Sequence, residues 1–122
     1  MRVMGFQKEW DKLNNDTFTT FRFTRRDKRD WEVGEQVQIV IKPRSKDRKY
    51  RGIAKIVSKE PRSPDAYFPV RNIVTISEEE ARADGFDDYE DMLNWLHRTY
   101  GNSDRLMFEP INKLVLHWIK GT

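Results

Sequence analysis

The chain has 122 residues, of which 35% are charged, and a formal net charge of +3. That length suits one domain, residues 1–122, whose core needs no covalent staple. Cysteine is absent, which excludes disulfides, thiolate metal sites and a cysteine nucleophile. No apolar run approaches the roughly 20 residues of a membrane-spanning helix, and no signal-peptide pattern opens the chain, so a soluble, cytoplasmic, monomeric protein without membrane contact is the expectation.

Phe6, Trp10 and Leu13 recur at helical spacing, which predicts a short amphipathic helix over residues 5–14. Asn14-Asn15-Asp16 supplies turn chemistry before the stretch TFTTFRFTRR. Alternation there predicts a strand with Thr19, Phe21 and Phe23 on one face and Thr20, Arg22 and Thr24 on the other. RRDKRD reads as a loop. WEVGE then leads into a strand with Val37, Ile39 and Ile41 on one face. Pro43 to Lys49 forms a basic hairpin loop, and Tyr50 to Ser58 returns as a strand with Ile53 and Val57 in the core. Pro61, Pro64 and Pro69 mark an irregular connection, since proline lacks the ladder donor. Asn72 to Ile76 is a further candidate strand.

Ser77 with Glu80 forms a capping-box pattern, so a short helix starts there and stops at Gly85. Asp87 with Glu90 repeats the pattern ahead of a helix whose apolar face is Tyr89, Met92, Leu93, Leu96 and Tyr100. Two runs, Arg105 to Phe108 and Lys113 to Ile119, read as closing strands, the second covered on both faces. The sum is an α+β domain of about five or six strands and about three short helices, with a compact, barrel-like sheet.

The charge is segregated along the chain. Residues 22–62 hold 14 Lys and Arg against 6 Asp and Glu, while residues 77–91 hold 8 acids against Arg82 alone. Such a dipole favours phosphate-bearing partners, although an ion-paired solvated surface accounts for the counts equally well. The acidic face could instead dock a basic protein. No Walker, GxGxxG or GxSxG pattern is present, and His97 and His117 lack metal-ligand spacing, so neither a metal nor another cofactor is expected. Two basic features carry binding chemistry. One is the Thr/Arg face of the TFTTFR strand with Arg25 and Arg26 beyond it. The other is the loop bearing Arg44, Lys46, Arg48 and Lys49, followed by Tyr50 as a candidate stacking ring.

The order of TFTTFR, WEVGE and Ala81-Arg82-Ala83-Asp84-Gly85-Phe86 with its following helix resembles the ASCH domain, a branch of the PUA-like superfamily. The resemblance spans about residues 5 to 119. It implies a PUA-like mixed β-barrel with helices at its mouth and a cleft along the first strand. It also implies binding of RNA or a nucleotide in RNA metabolism or translation-related processes, with hydrolysis of N4-acetylcytidine in some members and a ribonuclease activity in others. The opening motif of the family, Gly-x-Lys-Thr-x-Thr-x-Arg, is matched by Thr20 and Arg22. Its Gly and Lys positions fall near Asn15 and Thr17 and depart from it. In the amidohydrolase branch the Lys, the Thr and a downstream acid form the catalytic set. That implies Thr20, Asp84 and the departing Thr17 here. A threonine in place of the lysine needs an external base, which favours binding over cutting.

Overall fold

The computed structural model describes residues 1–24, 29–100 and 105–119. Five strands form one mixed sheet: β1 (Arg2–Phe6), β2 (Thr17–Arg22), β3 (Gln36–Ile41), β4 (Lys49–Arg62) and β5 (Ile111–Trp118). Their lateral order is β1-β3-β4-β5-β2, with β1 parallel to β3 and the other neighbours antiparallel. Three helices, α1 (Glu78–Ala83), α2 (Tyr89–Tyr100) and α3 (Arg105–Phe108), and a single 3-10 turn, Asp11–Asn14, complete the described elements.

The class is the α+β expected, but the sheet is not closed into a barrel. Among the described residues β1 and β2 share no backbone ladder. The two edges nevertheless approach each other. The Phe6 and Phe18 rings meet edge-on at 6.2 Å, and Arg22 Nη2 of β2 donates to the Gly5 carbonyl of β1 at 2.7 Å. A side chain therefore spans the seam where a barrel would have a ladder.

Several expected elements are corrected. The helix over residues 5–14 is instead the end of β1 followed by the 3-10 turn, because Phe6 pairs with Ile41 in the sheet while Trp10 and Leu13 pack from the turn. Arg105–Phe108 is helical rather than a strand. Residues 72–76 form only a single bridge, Ser63 to Thr75. β4 runs through Pro61. The β3 ladder covers residues 49–55, and Gly34 and Glu35 bond Ile56, so among the described residues no strand pairs with that edge of β4 at Pro61, where proline is tolerated. The core residues of β4 are Ala54 and Ile56, whereas Val57 sits at a register shift against β5 and is 45% exposed. In β5, Leu114 and Leu116 are buried but His117 is exposed, so only one face is fully covered. The cap of α2 is Asp88, which accepts from the Asp91 N–H at 2.7 Å, one residue later than the pattern suggested. The Ser77–Glu80 box forms as expected.

Burial divides into two clusters. Met4, Phe6, Leu13, Phe18, Val37, Ile39, Ile56 and Leu116 form one cluster against the sheet. Phe21, Phe23, Ile76, Phe86, Met92, Leu93, Leu96 and Leu106 pack the helices onto the strand ends. Strand alternation in β2 explains the split, since Phe18 points with Thr20 and Arg22 into the sheet while Phe21 points to the helices. Trp10 touches both clusters.

Candidate functional site

Thr20, Arg22 and Asp84 converge on one cavity of about 180 Å³, at the seam between β1 and β2 and under α2. A fourth polar side chain joins them: Lys12, only 7% exposed, whose Nζ forms a buried ion pair with Asp84. Trp10, Phe86, Trp95 and Tyr100 wall the cavity with aromatic surface. Trp10 and Phe86 lie 5.2 Å apart, and Phe86 and Trp95 5.7 Å apart.

Local structure sets these positions. The tight 3-10 turn buries both Lys12 and Leu13, Leu13 in the apolar core and Lys12 along the cavity wall. Asp84 is the C-cap of α1, and the chain reverses at Gly85, whose φ is +114°. A Cβ there would lie 2.7 Å from Trp10 Cε3. Gly85→Ala is therefore expected to cost about 1–2 kcal/mol for the backbone conformation alone. The added methyl should also push Trp10 from the cavity wall. Thermal unfolding and a shifted tryptophan emission check this.

Electrostatics in the cavity follow from burial. Desolvation lowers the pKa of Lys12, and attraction to Asp84 only partly restores it. Desolvation raises Asp84 to about 6, against the pull of Lys12 and Arg22. Arg22 is also lowered by burial and remains a cation. Its Nε donates to Thr20 Oγ1 at 3.2 Å, which fixes the hydroxyl. Among the described residues the cavity thus sets two cationic side chains against one carboxylate. That imbalance suits a ligand rich in hydrogen-bond acceptors.

A second concavity of about 560 Å³ adjoins the first and shares Gly5, Gln7 and Arg22 with it, adding Lys42, Pro43, Arg44 and Ser45. Of the expected basic residues, Arg44 lines this groove, whereas Lys46, Arg48 and Lys49 are exposed and do not. Lys49 pairs with Glu9 at 3.2 Å, and Arg48 donates to the Pro43 carbonyl at 3.4 Å. Tyr50 is 56% exposed on β4 and lines neither concavity, so it is no stacking platform for this site. Thr17, where the motif places its lysine, is also outside. It is exposed, with its hydroxyl 3.0 Å from His117 Nδ1 across the β2–β5 ladder. Arg25 and Arg26 lie outside the described residues. Neither histidine reaches the cavity, and no group of three metal-ligating side chains occurs among the described residues.

Lys12 was the residue the sequence hid, because its partner lies 72 positions away. A lysine flanked by Trp10 and Leu13 was the one local signal. Fold and site together define a small α+β domain with an aromatic-walled, cation-rich cavity at an open sheet seam. No family model, curated protein or solved structure gave a significant match to the chain. Among the described residues no helix is long and apolar enough to cross a membrane.

Proposed function

We propose that this chain binds RNA or a nucleotide by taking one nucleobase into the cavity. The observation that carries the reading is the convergence of Lys12, Thr20, Arg22 and Asp84 within aromatic walls. Single bases are held in this way, by hydrogen bonds to the ring edge and by contact with aromatic side chains. The cavity is smaller than the roughly 300 Å³ at which drug-sized ligand pockets begin, so it encloses a ring rather than a whole ligand. The ASCH resemblance of TFTTFR and ADGF points the same way. Calorimetric titration with the four ribonucleosides and with short single-stranded RNA tests the reading. Saturable binding that quenches tryptophan fluorescence is expected, with the RNA affinity falling as salt rises. If nothing binds at low salt, the reading is wrong.

Lys12 supports a second reading, hydrolysis of N4-acetylcytidine-type amides. The sequence motif lacked its lysine, and the cavity contains one. In its neutral form Lys12 would accept the Thr20 hydroxyl proton as Oγ1 adds to the acyl carbon. The C–N bond then breaks as that proton passes to the leaving amine, and water cleaves the acyl-threonine ester to acetate. Acetate release from N4-acetylcytidine, abolished by Lys12→Ala and by Thr20→Ala, is the expected result on this reading. No turnover by folded wild type removes it.

A further inference from the structure

We propose that the groove beside the cavity is a phosphate subsite, built by Lys42 and Arg44, so that the ligand is a phosphorylated nucleoside rather than a free one. This rests on the base-binding reading of the cavity and adds the ligand class to it. Three observations carry it.

The first is continuity. Gly5, Gln7 and Arg22 line both concavities, so a ring enclosed at Thr20 and Asp84 would project its substituents into the larger space. The second is charge. Several cations nearby are paired: Lys49 and Arg51 with Glu9, Lys59 with Asp30, and Arg62 and Lys113 with Glu80. Lys42 and Arg44 keep no carboxylate partner among the described residues, and both face the groove. Charged side chains that face a concavity without a counter-ion are available to an anion in a way that the paired ones are not.

The third observation is backbone conformation. Lys42 has φ +49°, a left-handed geometry that is unfavourable for a lysine. Its N–H donates to the Phe6 carbonyl at 2.7 Å and its carbonyl accepts from the Ser45 N–H at 3.0 Å, which fixes the turn. Glycine would relieve the strain. A lysine held in that conformation points to a task for its ammonium group. Gly5 supports the same wall, since a Cβ there would lie 2.7 Å from Pro43 Cγ and displace the loop.

The test compares each ribonucleoside with its 5′- and 3′-monophosphates and with a short oligoribonucleotide, by calorimetry on the wild-type chain and on Lys42→Gly/Arg44→Ala. Lys42→Gly suits the left-handed backbone, so the variant should fold. A monophosphate should bind about tenfold or more tightly than its nucleoside, as expected for charge-assisted hydrogen bonds. The variant should lose that increment and keep the nucleoside affinity. If the oligoribonucleotide carries the increment and the mononucleotides do not, the phosphate belongs to a strand. The converse assigns it to a free nucleotide. Equal affinity for nucleoside and monophosphate, with no increment for the oligomer, overturns the subsite and leaves the base-binding reading intact. Failure of every nucleoside, monophosphate and oligoribonucleotide to bind removes the base-binding reading. The subsite then survives only if inorganic phosphate binds the wild type and not the variant, and is overturned otherwise.

Discussion

Replacing Lys12 by methionine should destabilise the fold by about 3–5 kcal/mol, because Asp84 is left buried without its partner. Against a total stability of about 5–15 kcal/mol this is among the largest single-residue effects the molecule can show. The loss depends on pH. The folded Asp84 binds its proton more tightly than an unfolded aspartate does, with a pKa of about 6 against 3.8. Its contribution is therefore fully present below 3.8 and is lost as pH rises through about 6. Removing Lys12 takes away the main influence that lowers Asp84, so its pKa should climb further. The deficit of Lys12→Met should be small in acid and widen towards neutrality. Urea denaturation across that range measures it. The double variant Lys12→Met/Asp84→Leu should recover wild-type stability or exceed it, since an apolar pair avoids the desolvation cost of two charges. The double variant should still bind no nucleoside. Recovered stability without binding would show that the pair is kept for the ligand. A double variant as unstable as the single one would show instead that the pair holds the fold together.

Arg22→Met should weaken nucleoside binding by about 30-fold or more, the equivalent of about 2 kcal/mol for a charged hydrogen bond. Arg22 does two things that methionine cannot. It orients the Thr20 hydroxyl through Nε and joins β2 to β1 through the Gly5 carbonyl. Hydrogen exchange separates the two roles. Faster exchange confined to the amides of β1 and β2 would follow from a loosened seam, whereas unchanged protection with lost affinity assigns the effect to ligand contact. Unchanged affinity would remove Arg22 from the site.

The strands and helices with strong local patterns were legible in the sequence. TFTTFR alternates, and Phe18 and Phe21, on its opposite faces, are both buried, one in the cluster against the sheet and the other beneath the helices. The Ser77–Glu80 box and the Gly85 stop depend on neighbours within a few residues, and both hold. Thr20, Arg22 and Asp84 could be singled out from the motif order, and the structure brings them together. What local pattern could not supply was anything decided by distant partners. Residues 5–14 look helical because Phe6, Trp10 and Leu13 happen to fall at helical spacing, and only pairing with β3 puts Phe6 at the end of a strand. Lys12 looks like the polar face of that helix until Asp84 arrives beside it. The charges of the 42–49 loop looked equivalent in sequence, yet Lys49 pairs with Glu9 while Lys42 and Arg44 line the groove.

The strand order has a consequence for how the molecule assembles during synthesis. Among the described residues β2 has a backbone ladder with β5 alone, and β5 is the last of the five strands in chain order. Thr20 and Arg22 therefore emerge early but have no template until residues 111–118 follow, about 90 positions later. Until then β2 has no ladder to hold Phe18 and Phe21 in their two clusters, which exposes the nascent chain to aggregation. A ribosome-bound chain halted before β5 should lack the cavity altogether, however well β1, β3 and β4 have paired.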